Sequence, residues 1–143
     1  MNQTMINQWL QPLASVVGQP LALDGRGLLG LELDGGLQCT IEHDVESDTV
    51  VFHSELYEIP PGETAPLCIA AMEKNLYGVG SFGITLGLDQ RRSMIVGSMT
   101  LPVSTLSEES FVIQLERFVS GIDELHRAFL RQTPNGESFG VQS

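Results

Sequence analysis

Basic residues, and lysine in particular, are scarce in this 143-residue chain. Seven lysines and arginines stand against eighteen acidic residues, which gives a formal net charge of -11 at pH 7, and Lys74 is the only lysine. A surface this acidic repels phosphate backbones and anionic membranes. We therefore expect no nucleic-acid partner and no membrane insertion.

Cysteines and long apolar runs are also rare. Cys39 and Cys68 are too few for a disulfide framework and lie too far apart for a metal or redox motif, which favours reduced thiols in a cytosolic protein. No run of about 18 apolar residues could span a membrane. The first ten residues lack the basic region and apolar block of a signal peptide, so we expect the mature protein to begin near Met1 and to stay soluble.

Signatures of catalysis are missing as well. The three histidines are scattered and no G-x-S-x-G motif occurs, so we expect no catalytic residue, metal or cofactor. Gly78, Gly80 and Gly83 fit G-x-G-x-x-G, but a helix precedes them and a strand follows, the reverse of a dinucleotide site. A small hydrolase whose site is assembled by the fold from distant Ser, His and Asp residues stays open as an alternative.

The apolar residues that are present follow two periods. Between Met5 and Val17 they recur every three or four residues, which predicts a helix, kinked or divided at Pro12 and ended by Gly18. Between residues 21 and 59 they alternate, which predicts three antiparallel strands. The inward positions of these strands are Leu29, Leu31 and Leu33, then Leu37, Cys39 and Ile41, then Val50, Phe52, Ser54 and Leu56.

The second half of the chain shows the same two kinds of spacing, without an internal repeat. A helix is predicted from Thr64 to about Asn75, then strands over Ser81 to Asp89 and Met94 to Leu101, then a long helix that Ser107 begins. The resulting order of helix, three strands, helix, two strands and helix indicates an α+β fold with a twisted antiparallel sheet. We expect one domain over residues 1–131 and a disordered C-terminal tail over residues 132–143.

The first helix, the second helix and the last pair of strands carry more apolar residues than one sheet face can cover, whereas packing in the core explains the apolar face of the last helix. From Ala65 to Met72 the second helix is apolar almost all round, so a two-fold symmetric partner covering its outer side is the favoured explanation. For Trp9, Leu10 and Leu13, packing in the core and binding of a partner are equally compatible with the pattern. A surplus of this kind favours a binding protein over an enzyme.

Six segments between the first helix and about Arg131 form a combined pattern: Gly18 to Asp24, the hairpin through Leu33, Lys74 to Gly78, Thr85 to Asp89, Leu101 to Val103 and Phe111 to Phe129. With these segments the sequence resembles the class I chaperones of bacterial type III secretion over nearly its whole length. No catalytic signature contributes to this resemblance, and Pro12 departs from the usually unbroken first helix of the family.

The resemblance implies a homodimeric chaperone of the bacterial cytoplasm that binds the N-terminal, non-globular segment of a secreted effector. The dimer interface that it implies consists of Leu67, Ile69, Ala70, Ala71, Leu76, Phe82 and Ile84. The effector-binding residues that it implies are Trp9, Leu10, Leu13, Leu29, Leu31 and Leu33.

The resemblance also suggests how such a protein would work without a cofactor. The effector segment would add a strand to an exposed sheet edge, while its apolar side chains enter pockets. The secretion ATPase or the sorting apparatus is a further expected partner. A regulator or anti-activator on the same scaffold, which would bind a transcription factor, is the alternative that the sequence does not separate.

Overall fold

The structure, a computed structural model, describes residues 2–132, which form an α+β unit in the predicted order. The helices are α1 (Asn2–Trp9), α2 (Gln11–Val17), α3 (Thr64–Asn75) and α4 (Glu108–Gln132). The strands are β1 (Leu28–Glu32), β2 (Gln38–Asp44), β3 (Thr49–Glu58), β4 (Thr85–Asp89) and β5 (Met94–Pro102). Short 3-10 turns lie at Asp34–Gly36, Leu76–Gly78 and Val103–Thr105.

The five strands form one antiparallel sheet in the order β1-β2-β3-β5-β4. The first three strands follow one another as the predicted meander. The connection through α3 then carries the chain past β3, so that β4 becomes the far edge and β5 pairs with β3. The two edges of the sheet are therefore β1 and β4.

The core lies between one face of the sheet and helices α1 and α4. Phe52 at the centre of β3 lies 5.7 Å, centroid to centroid, from both Phe111 and Phe118 of α4, and all three rings are fully buried. The apolar stripe of α4 is buried except for Val119, which is half-buried; it consists of Phe111, Leu115, Phe118, Val119, Ile122, Leu125 and Phe129. The burial of these large aromatic rings contributes strongly to stability.

Pro12 divides the first helix as predicted. α1 ends at Trp9 and α2 begins at Gln11, with Pro12 in the first turn of α2, where its missing N–H costs no helical hydrogen bond. Gly18 ends α2 in the left-handed region, at φ 78°, and its N–H donates to the Ala14 carbonyl. The division leaves Trp9 in the core and turns α2 outward, with all of its residues exposed or half-buried.

The prediction of a strand from Ser81 is wrong, because β4 begins at Thr85. Phe82 and Gly83 both adopt positive φ, at 59° and 80°, which is incompatible with an extended strand. The Ile84 N–H instead donates to the Ser81 carbonyl across a tight turn. Phe82 consequently does not share a strand face with Leu86, and its side chain is 53% exposed.

The ends of α4 agree with the sequence more closely. Ser107 caps the helix, since its Oγ accepts from the Ser110 N–H at 3.2 Å while the Ser107 N–H donates to the Ser110 hydroxyl at 2.8 Å. Gln132, predicted to start the tail, is the last helical residue, and the remainder of the predicted tail lies outside the described residues. Within residues 2–132, no helix is long and apolar enough to cross a membrane.

Candidate functional site

An apolar groove of about 500 Å³ lies where α2, β1 and α4 meet. Trp9 and Phe111 form part of its floor, with ring centroids 5.4 Å apart and little exposure of either ring. Val16 and Val17 are 82% and 48% exposed at its rim. Its lining is completed by Pro12, Leu13, Leu31, Glu32, Leu33, Val112, Leu115, Glu116, Val119 and Ser120.

The groove exists because the elements around it come close together without filling the space between them. Trp9 packs on Phe111 and holds the end of α1 against α4, while the break before Pro12 sends α2 over the rim. Leu31 and Leu33 lie at the end of β1, beyond the well-covered centre of the sheet, and stay half-buried. Exposed apolar side chains around a hollow of this size are typical of a binding surface.

The charged residues of the groove are all acidic. Glu32 contributes from β1 and Glu116 from α4, and no lysine, arginine or histidine lines the groove. Arg117 follows Glu116 in the chain but lines hollows beside Phe82, on the other flank of α4. A ligand of the groove would therefore meet apolar surface flanked by negative charge.

The free edge of β1 borders the groove and offers backbone hydrogen-bonding groups. In the antiparallel ladder these groups point alternately toward and away from the partner strand. Leu33 donates to the Leu37 carbonyl on the β2 side, so the odd-numbered residues of β1 pair with β2. The N–H and C=O of Gly30 and Glu32 therefore point outward, which makes this edge a template for an added strand.

One end of the same edge is already occupied. The carboxylate of Asp24 accepts from the Leu28 N–H at 3.0 Å, and the Asp24 N–H donates to the Leu28 carbonyl at 2.8 Å. Hydrogen bonds from the Leu28 and Arg26 amides lower the pKa of Asp24. An added strand can therefore pair with Gly30 and Glu32 but not with Leu28.

The opposite edge, β4, is closed at its centre. The side-chain amide of Asn75, the last residue of α3, donates to the Leu86 carbonyl and accepts from the Leu86 N–H, both at 2.8 Å. These are the two outward backbone groups of Leu86, so of the remaining β4 residues only Leu88 has its backbone pointing outward. Among the described residues, β1 is thus the edge with room for an added strand.

A second apolar surface begins on α3 and continues through the turn that follows it. We call it the α3 surface, and its members are exposed by 53% or more: Ile69, Met72, Leu76, Tyr77, Val79 and Phe82. Tyr77 and Phe82 hold positive φ values of 57° and 59°, which are uncommon for bulky residues. Exposed aromatic residues in costly backbone conformations suggest a functional constraint on this turn.

The surrounding packing holds Phe82 in place. A side-chain carbon on Gly121 would lie 2.7 Å from Ile84 Cδ1 and 3.4 Å from Phe82 Cβ, so only glycine lets α4 approach this closely. Gly97 of β5 is similarly crowded, because a side-chain carbon at this position would lie 2.9 Å from Ile122 Cδ1. The close contact between α4 and the sheet holds the backbone of this turn in place, while the ring of Phe82 remains exposed.

The seven residues predicted for a dimer interface divide by exposure. Ile69, Leu76 and Phe82 are 59%, 61% and 53% exposed on the α3 surface. The other four, Leu67, Ala70, Ala71 and Ile84, are at most 6% exposed and pack in the core of the single chain. The apolar character of α3 all round thus has two sources, an inner face in the core and an outer face that is uncovered.

The six residues predicted to bind an effector divide similarly. Leu13, Leu31 and Leu33 are half-buried on the wall of the groove, and Trp9 lies in its floor. Leu10 is fully buried, and half-buried Leu29 lies outside the lining. Sequence reasoning missed Val112, Val119 and Glu116 as groove residues and Asn75 as an edge residue, because their roles depend on which elements become neighbours.

Each of the three histidines has its own local partner. His43 lies 3.0 Å from Asp48, His53 lies 3.4 Å from Glu42, and the ring of His126 hydrogen-bonds the Leu56 carbonyl at 2.8 Å. Within residues 2–132 no serine hydroxyl hydrogen-bonds a histidine, and no group of three or more His, Cys, Asp or Glu side chains could hold a metal ion.

Asp48 joins the turn between β2 and β3 to the start of α1. It sits in the left-handed region at φ 52°, and its carboxylate meets His43 Nε2 and accepts from the Asn2 amide at 2.6 Å. These two hydrogen bonds, that of His43 first, lower the pKa of Asp48. The thiol of Cys39 is also perturbed, since burial raises its pKa to about 12 and keeps it unreactive at neutral pH.

Known proteins resemble the chain in sequence profile and in fold. The profile of the Tir chaperone protein (CesT) family matches residues 8–126. A search of curated protein sequences gave no significant match.

Three solved structures share the fold. A chain of the ExsC-ExsE complex superposes with a TM-score of 0.69 at 18% identity, covering 87% of this chain and 93% of its own. A chain of the HopA1-SchA chaperone-effector complex superposes with a TM-score of 0.62 at 22% identity, covering 87% of this chain and 94% of its own. The Yersinia pestis type III secretion chaperone SycH, solved in complex with a fragment of YscM2, superposes with a TM-score of 0.61 at 18% identity. The match covers 83% of this chain and 98% of its own.

Proposed function

Because the chain belongs to the Tir chaperone protein (CesT) family, we propose that it is a type III secretion chaperone that binds an effector in the groove between α2, β1 and α4. One observation carries the assignment of the site: the apolar groove lies directly beside the open edge of β1. An extended effector segment can pair with the Gly30 and Glu32 backbone while its apolar side chains enter the groove.

The physical task requires no chemistry on the effector. A protein that binds only the unfolded form of a segment lowers the free energy of that form and so keeps it from folding or aggregating. In the HopA1-SchA and SycH complexes, chains of this fold hold another protein. By analogy the partner of this chain is the N-terminal, non-globular segment of a secreted effector, bound in the bacterial cytoplasm without catalysis.

The second part of the proposal is a homodimer formed through the α3 surface. Ile69, Leu76 and Phe82 supply an exposed apolar patch, and a two-fold contact would bring each patch against its symmetry mate. A net charge of -11 would keep a protein with such patches soluble before its partners cover them. The secretion ATPase or the sorting apparatus would then receive the loaded dimer.

Purification of the tagged chain from its native host, followed by mass spectrometry, tests the assignment. The expected result is a co-purifying protein whose secretion fails when the chaperone is deleted. Leu31→Glu, which places a charge in the groove wall, should lose this partner, whereas Leu88→Glu on the β4 edge should keep it. Recovery of a transcription factor in place of a secreted protein would favour the regulator, and equal capture by Leu31→Glu would remove the groove from the site.

A further inference from the structure

The acidic residues of the groove restrict which effector segments it can accept. We propose that the groove selects extended segments in which lysine or arginine lies among alternating apolar residues, so that a basic side chain reaches Glu32 or Glu116 while the apolar ones fill the hollow. This inference rests on the proposed function and adds the chemical class of the bound segment.

The carboxylates of Glu32 and Glu116 are both unpaired. The described ion pairs use Arg92 with Glu55 and Asp89, and Arg127 with Asp123 and Glu124, and none of residues 2–132 forms an ion pair with Glu32 or Glu116. The groove itself supplies no cation. A ligand with positive charge would therefore be the first partner that these carboxylates meet.

An added strand would have a defined register against β1. Side chains of neighbouring strands in a sheet lie side by side on the same face. Leu31 and Leu33 face the groove, and Glu32 lies between them on the free edge of β1, whose backbone is open at this residue. A strand paired there places alternate side chains in the groove and the intervening ones beside Glu32, so apolar and basic residues are expected to alternate.

Acidic segments meet the opposite situation. A glutamate or aspartate of the segment would meet like charge at Glu32 on the edge of β1 or at Glu116 on α4, which is unfavourable. The same arrangement that attracts a basic segment therefore rejects an acidic one. Gly30, which has no neighbouring atom within 4 Å of the position of a side-chain carbon, leaves space beside the edge for a long lysine or arginine.

Fluorescence anisotropy with two synthetic peptides tests the inference on the full-length protein. Both probes are fluorescein-labelled peptides in which valine alternates with threonine, and they differ in having two of the threonines replaced by lysine or by glutamate. At low salt we expect the lysine peptide to bind about tenfold more tightly than the glutamate peptide. Because salt screens exposed charges, about 0.5 M NaCl should reduce this preference to about twofold.

Matched variants assign the preference to the groove. The pair Glu32→Gln and Glu116→Gln should abolish the preference while retaining apolar binding. The pair Glu46→Gln and Glu58→Gln, which removes the same charge from two exposed sites outside the groove, should retain it. Equal affinity of the two peptides, loss of the preference in the control pair, or no binding of either peptide would overturn the inference. In each of these cases the proposed function would still stand if the effector co-purifies with the wild type and is lost in Leu31→Glu.

Discussion

The groove and the α3 surface are both uncovered and apolar, yet they are built differently. The groove is a hollow that α4 forms with α1, α2 and β1, which are distant from α4 in sequence, and it adjoins the open backbone of Gly30 and Glu32. The α3 surface comes from one stretch, from Ile69 to Phe82, and Asn75 closes the sheet edge beside it. The first can bind both the backbone and the side chains of a flexible segment, whereas the second offers side chains to a folded partner.

Surplus apolar surface alone therefore does not specify a partner. Accessible backbone groups at β1 favour an extended chain, because such a chain can complete a ladder. At β4 the side chain of Asn75 already satisfies Leu86, so a contact there depends on apolar packing, as in an interface between two copies. If the two surfaces bind different partners, a substitution in one surface should leave binding at the other unchanged.

The largest expected effect is that of Ile69→Asp on the dimer. By symmetry it places two unpaired carboxylates in an apolar contact, at a cost of several kcal/mol, which raises the dissociation constant about a hundredfold or more. Light scattering should show the mass fall from twice 15.6 kDa to 15.6 kDa, with effector binding unchanged. An unchanged mass would remove Ile69 from the interface.

Val16→Asp should have the reciprocal effect. Val16 is 82% exposed at the rim of the groove, so the protein should fold normally while effector affinity falls by about tenfold or more, because a bound apolar side chain would face an unpaired charge. Calorimetry with the co-purified effector measures the loss. Val45→Asp, at a similarly exposed valine in the turn after β2, should bind normally, and equal loss in both variants would contradict a localised groove.

Asn75→Ala should destabilise the closed edge. It removes both hydrogen bonds to Leu86 and leaves two part-buried backbone groups unsatisfied, so the free energy of unfolding should fall by about 1–3 kcal/mol. Urea denaturation followed by circular dichroism gives this value. Gln90→Ala, at an exposed turn residue, serves as the control, and a similar small change in both variants would show that Asn75 does not secure the edge.

The smallest expected effect concerns the link between Asp48 and α1, on which the groove depends. Because hydrogen bonds from His43 and Asn2 lower the pKa of Asp48 in the folded state, its contribution is complete above the unfolded pKa of about 4. As the pH falls through the lower folded pKa, this contribution is lost. Asp48→Asn, which tolerates the positive φ, should therefore show less acid destabilisation than the wild type.

Thermal melts at pH 7 and at pH 3 measure this difference. Asp34→Asn is the control, since none of residues 2–132 hydrogen-bonds the Asp34 carboxylate in the structure. The same pH dependence in Asp48→Asn and the wild type would show that these hydrogen bonds are not maintained in solution.

Local sequence patterns predicted most of the fold. Alternation located β1 to β3, the apolar period located α3 and α4, and Pro12 predicted the division of the first helix, since each depends on neighbouring residues. The strand predicted from Ser81 was wrong because Phe82 adopts a left-handed turn that its residue type disfavours. That turn depends on tertiary packing beside Gly121, which no local pattern reveals.

The candidate site was less predictable than the fold. The apolar outer side of α3 was visible because it lies within one helix, and Leu31 and Leu33 were identified through the family resemblance. The roles of Val112, Val119, Glu116 and Asn75 depend on how α4 lies against β1 and how α3 meets β4. Contacts between distant segments of this kind cannot be derived from periodicity alone.

Hydrogen–deuterium exchange of the protein with and without its co-purified effector tests most directly whether the two surfaces serve different partners. We expect slower exchange on effector binding for the amides of β1, Gly30 and Glu32 above all, and unchanged exchange across residues 76–83. Protection of residues 76–83 with no change along β1 would contradict it.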